Sequence, residues 1–139
     1  MPMERRKLPI RRYGWRVTVL FGAKNSDSDE ILRLMRRLGA SDEDLYAAGS
    51  MLRKSAPNFG LTFSSFANRE SVMVIGVAES SSEYFNTIVH ESFHLSKHIA
   101  QCDGIDPYSE DAAYITGDFV QRVYTEFGGQ LCIRGKGAD

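Results

Sequence analysis

His90 and His94 stand four residues apart, with Glu91 directly after the first, in the stretch VHESFH. On an α-helix each residue advances about 100°, so the two imidazoles lie about 40° apart and one turn along. Both rings can then reach one ion at the ~2.0–2.1 Å that Zn–N bonds require. Glu91 points about 100° from His90 and about 60° from His94 by the same arithmetic. It is off the coordination axis and close enough to touch a water beside the ion. Two imidazoles and a carboxylate in the pattern H-E-x-x-H are the core from which a zinc hydrolase site is built.

A hydrolytic zinc site takes three protein ligands and an open position. The extended pattern H-E-x-x-H-x-x-G-x-x-H is excluded, because Lys97 and Ala100 stand where it needs glycine and histidine. His98 lies about 80° from His90 and two turns along, too far to share the ion without breaking the helix. The row His94, His98 and Cys102 could hold a different metal, but a partly exposed polar histidine is the simpler expectation for His98. The remaining candidates are Glu110 and Asp111, after the helix-breaking run DGIDP at 103–107. A helix starting there can fold back across the motif helix. Ala112 and Ala113 follow the acidic pair and permit close approach. Asp111 points about 100° from Glu110, and a solvated first-turn acid at the positive helix end explains it well.

The surrounding chain must supply a helix for the motif and a scaffold beneath it. Residues 13–21 carry Trp15, Val17, Val19 and Phe21 in period two, which predicts a strand with one apolar face. Ser28 can cap a helix bearing Ile31, Leu34, Met35 and Leu38, and Gly39 stops it. Ser41 with Asp44 opens a second helix carrying Leu45, Ala48, Met51 and Leu52, which ends before Pro57. Residues 60–67 and 71–77 read as a hairpin, the first an edge strand and the second more apolar and more central. Ser80 with Glu83 fits a capping box for the motif helix, expected to run to about 101. Tyr84, Thr87, Ile88, Leu95 and Ile99 are expected to share its buried side with the two histidines. Ser109 then caps a last helix over 110–127, ended by Gly128-Gly129. The order β-α-α-β-β-α-α predicts an α+β fold, with a small antiparallel sheet of three or more strands packed against helices.

Length predicts one domain over 1–139, with a basic arm at 1–12 and a loose tail at 130–139 in which Cys132 and Ile133 can add a short strand. The N-terminal stretch holds Arg5, Arg6, Lys7, Arg11, Arg12 and Arg16 against Glu4, yet the whole chain has a net charge of −1. A solvated start leading into a strand is expected, and nucleic acid is not expected as a partner. No apolar run reaches the ~18 residues of a membrane span, and no signal peptide is visible. With only Cys102 and Cys132, no disulfide framework is expected, and the setting expected is the reducing cytoplasm.

The segment 83–124, with HESFH, the short break and then EDAAY, resembles the gluzincins, zinc peptidases with a thermolysin-like H-E-x-x-H and a glutamate on a later helix. It is most similar to minimal single-domain, zincin-like versions of phage or mobile-element origin. The resemblance implies Zn2+ held by His90, His94 and Glu110, with Glu91 as general base and a peptide or protein as substrate. It also implies that the hairpin's edge strand, around Phe63, Ser64, Ser65 and Phe66, pairs with an extended substrate. There are departures. The position four residues after the ligand glutamate is Tyr114, where thermolysin-type enzymes have aspartate. Tyr114 or Asp118 would have to support a zinc-bound histidine. No histidine follows to stabilise an oxyanion, so that role falls to Tyr108, Tyr124 or Arg122. A different class of function, a non-catalytic metal-stabilised binding module, fits the same motif. A DNA-linked regulator using the basic arm is a third reading.

Overall fold

The computed structural model describes residues 2–54 and 58–131. Four strands, β1 (Glu4–Ile10), β2 (Trp15–Ala23), β3 (Gly60–Ser65) and β4 (Glu70–Gly76), form one sheet in the order β1-β2-β4-β3. Four helices accompany it: α1 (Ser28–Arg37), α2 (Asp42–Lys54), α3 (Ser81–Asp103) and α4 (Glu110–Leu131). The fold is α+β, as the hydrophobic patterning predicts. No helix among the described residues is long and apolar enough to cross a membrane.

The sheet is mixed rather than wholly antiparallel. β1 pairs with β2 and β3 with β4 antiparallel, but the central pair, β2 and β4, runs parallel. Parallel neighbours need a crossover of a dozen or more residues, and α1 and α2 provide it. Central strands covered on both faces carry near-continuous apolar runs. In β4, six consecutive residues, Ser71 to Gly76, are buried. Alternate residues serve opposite layers. Trp15, Val17, Val19, Phe21, Met73 and Ile75 face α3 and α4, where they meet Ile88, Leu95 and Phe119. Leu20, Val72 and Val74 face α1 and α2, where they meet Ile31, Met35 and Leu52.

The expected basic arm is largely strand. β1 closes a hairpin with β2 through a 3-10 turn at Arg11–Tyr13 and Gly14, whose φ of 59° suits glycine. Its charges have acidic neighbours: Arg5 reaches Glu30 at 3.8 Å and Arg6 reaches Glu126 at 3.8 Å. The run ERRKLPI shows no apolar alternation, because only Leu8 of β1 is buried.

The last helix also passes its expected stop. α4 continues through Gly128-Gly129 to Leu131, with one non-helical residue at Phe127. Phe127 and Leu131 are buried, and the Phe127 ring stacks on Phe21 at 4.6 Å. Burying two large apolar side chains offsets the roughly 1 kcal/mol that each helical glycine costs. Gln130 and Leu131, the first two residues of the expected loose tail, are thus helical. The rest of that tail, including Cys132 and Ile133, and the expected helix end at Pro57 lie outside the described residues.

Candidate metal centre

α3 begins where Ser80 caps it, its hydroxyl accepting from the Glu83 N–H at 3.2 Å. Glu83 does not complete the reciprocal box. Its Oε1 accepts from the N–H of Glu79 at 2.9 Å instead. The helix ends at Gly104, in the left-handed conformation that favours glycine (φ 69°).

Tyr84, Thr87, Ile88, Leu95 and Ile99 are buried as expected, but the two histidines do not share that side. His90 and His94 are exposed, and Glu91 is buried at 4% exposure. The reason is angular. The core-facing residues centre about 50° beyond Glu91, whereas His90 and His94 lie about 100° and 60° on its other side.

The imidazoles converge. Their Nε2 atoms are 3.2 Å apart, with the rings at 74°. Two Zn–N bonds of ~2.0–2.1 Å at a tetrahedral angle set the nitrogens about 3.3–3.4 Å apart, so the pair fits one ion with little adjustment. The same separation suits a single imidazole–imidazole hydrogen bond when no ion lies between the rings.

Glu91 turns beneath the helix onto β3. Its Oε1 accepts a 2.7 Å hydrogen bond from the Thr62 hydroxyl, and its Oε2 lies 4.0 Å from His90 Nε2. Burial pushes the Glu91 carboxyl above its ordinary range, against a smaller pull downward from the Thr62 hydrogen bond and from His94 and His90. Gly60 makes this approach possible. A Cβ there would sit 2.6 Å from Glu91 Oε2 and 2.8 Å from Thr87 Cγ2. A cleft of about 240 Å³ opens beside the carboxylate, lined by Asn58, Gly60, Glu83, Asn86, Thr87, His90 and Glu91.

Glu110 is not brought to the histidines. α4 runs antiparallel to α3, with the Ser96 hydroxyl bonded to Ala112 O at 2.7 Å and Phe85 stacked on Tyr124 at 5.8 Å. Phe85 and Ser96 lie about 150° round α3 from the histidine pair. α4 therefore packs on the opposite flank. Among the described residues no group of three His, Cys, Asp or Glu side chains is placed to hold one ion.

The other expected supporting residues are dispersed as well. Asp111, Tyr114 and Asp118 line a groove against Ile10, Tyr13 and Arg122. Tyr108 is exposed in the turn between α3 and α4. Tyr124 covers Phe85, and Arg122 donates to Pro9 O at 2.8 Å. None of these contacts reaches the histidine pair.

β3 does lie at the sheet edge. Phe63 packs towards α1 and α2, while Ser64 and Phe66 turn under α3. Ser65 accepts from the Asn68 N–H at 3.2 Å. Ser64 joins a polar chain across the sheet. The Trp15 indole donates to Ser71 Oγ at 2.8 Å, Ser71 and Ser64 share a 2.7 Å hydrogen bond, and Ser64 shares another with His98 Nδ1 at 2.7 Å. His98 is thus an anchor of α3 to the sheet, and burial lowers its pKa.

Gly60 and Thr62 escape a reading that looks only for ligands. The available signal is GLTFSS, in which alternate positions 60, 62 and 64 are small or polar. A glycine opening a strand marks close approach of another element.

No protein-family model, curated protein or solved structure matches the chain.

Proposed function

We propose that the chain is a zinc-dependent metallopeptidase, with His90 and His94 holding the ion and Glu91 as general base. The observation that carries this reading is the buried Glu91 carboxylate, held by Thr62 beside two converging imidazoles. A buried carboxyl with a raised pKa in a cleft is costly to stability and is characteristic of groups with a chemical task. A zinc ion in that position supplies Lewis acidity and makes neighbouring water acidic near neutral pH. Glu91 accepts the proton of the attacking water and delivers it to the departing amine nitrogen. Thr62 keeps the carboxyl turned towards the cleft. The outer edge of β3 offers backbone groups to an extended peptide. The cytoplasm is the proposed setting, on cysteine usage.

The motif and the base support the gluzincin assignment, and the position of Glu110 does not. That position favours a second reading, a non-catalytic module in which the histidine pair binds metal and stabilises the fold or an interaction. Zinc content by elemental analysis, with peptide-library cleavage and a chelator control, separates the two. We expect His90→Ala and His94→Ala to lose zinc, Glu110→Ala to retain it, and Glu91→Gln to keep zinc while losing hydrolysis. Unchanged zinc in both histidine variants overturns the site. Full zinc without cleavage by the native chain favours the second reading. Zinc lost in Glu110→Ala would restore the ligand set that the resemblance implies.

A further inference from the structure

The cleft beside Glu91 has a one-sided chemistry. Its described lining contains two carboxylates, Glu83 and Glu91, the amides of Asn58 and Asn86, the imidazole of His90 at the end next to the proposed reaction centre, and no lysine or arginine. It continues directly from the proposed reaction centre, because Glu91 and His90 form one of its walls. Glu83 is held in place: its Oε1 is tied to the Glu79 N–H at 2.9 Å, so little side-chain entropy is lost when it meets a ligand. Helix capping accounts for this one oxygen. It does not account for an open cleft of about 240 Å³ between Glu83 and Glu91.

We infer that this cleft receives a lysine or arginine side chain of a bound peptide, next to the bond presented to Glu91, with Glu83 as its counter-charge. The inference rests on the peptide-binding part of the proposed function and adds a substrate class to it. A cationic head meets Glu83, and the amides of Asn58 and Asn86 offer oxygen acceptors. The aliphatic stem lies against Gly60 and the Thr87 methyl. An acidic side chain in the same place brings like charges together, and an apolar one desolvates a carboxylate without a partner. Selection thus comes from repulsion of the wrong residue as much as from attraction of the right one.

The test uses zinc-loaded Glu91→Gln protein, which binds without cleaving, and fluorescent peptides that differ at one position as Lys, Leu or Glu. Fluorescence polarisation should show the Lys peptide bound about fivefold or more tighter than the Glu peptide, the scale of one partly exposed ion pair. Adding Glu83→Gln should remove most of that preference. Adding Asn86→Lys, which leaves the cap intact, should reverse it. Equal preference with and without Glu83, or no binding of any peptide, overturns the inference. Cleavage by the native chain is scored separately. Selective binding of the Lys peptide with no cleavage overturns hydrolysis and leaves the cleft assignment standing.

Discussion

The Thr62 hydroxyl donates a 2.7 Å hydrogen bond to Glu91 Oε1 and so ties the edge strand to the carboxylate of the motif helix. The bond crosses from β3 to α3 and joins residues 29 apart in sequence. Thr62→Val keeps the shape and removes the donor. A hydrogen bond to a charged group contributes about 1.5–3 kcal/mol, and a loss of that order is expected in urea unfolding at neutral pH. The Glu91 carboxyl should then titrate still higher, which 13C NMR of the carboxyl group would report.

Gly60 sets how closely α3 approaches β3. In Gly60→Ala the new methyl would lie 2.6 Å from Glu91 Oε2 and 2.8 Å from Thr87 Cγ2, so one element must shift. Overpacking of this kind costs about 1–3 kcal/mol. Loss of the proposed hydrolysis should exceed what the fall in stability explains, since Glu91 is the group displaced. A variant with native stability and full activity would contradict the packing described.

Burial raises the Glu91 pKa above 4.5 in the folded chain. The folded state then holds a proton that the unfolded state has lost. Stability of the metal-free protein should fall as pH rises from about 4.5 through the folded value, with the full penalty present above that value. Glu91→Gln still accepts from Thr62 and carries no charge. It should therefore be more stable than the native chain at pH 7, and the gap should close on acidification. Chemical denaturation at several pH values measures this.

His98 behaves in the opposite sense. Burial lowers its pKa below 6.5, so on acidification the unfolded chain takes up the proton first. Its contribution is complete above pH 6.5 and is lost as pH falls through the folded value. His98→Asn, which can keep a hydrogen bond to Ser64, should lose less stability than the native metal-free chain between pH 7 and 5.5.

Ser92 Oγ is buried without a hydrogen-bond partner among the described residues. An unsatisfied buried hydroxyl costs stability, and alanine is the better helix former. Ser92→Ala should be neutral or stabilising by up to about 1 kcal/mol in thermal unfolding, with zinc content unchanged.

What the sequence by itself determined is local. The i, i+4 spacing of His90 and His94 on a capped helix is enough to bring their nitrogens to 3.2 Å, because helix geometry depends only on neighbouring residues. Ser80, Gly104 and the run at 103–107 likewise mark where α3 starts and stops, through backbone preferences of single residues. The dense apolar run of β4 marks it as a central strand, whereas apolar period two in β2 marks only one buried face and the fold covers both, with Val19 on one side and Leu20 on the other. The tertiary structure alone decided that β2 and β4 run parallel and that the charged segment at 4–10 pairs as an edge strand. It alone decided that Glu91, rather than the histidines, turns inward. It also placed α4 on the flank of α3 away from the histidine pair, which separates Glu110 from the two imidazoles. These outcomes depend on summed contacts such as Phe127 on Phe21 and Ser96 on Ala112. Those contacts join residues far apart in the chain, so no local pattern records on which side of a helix its neighbour will settle.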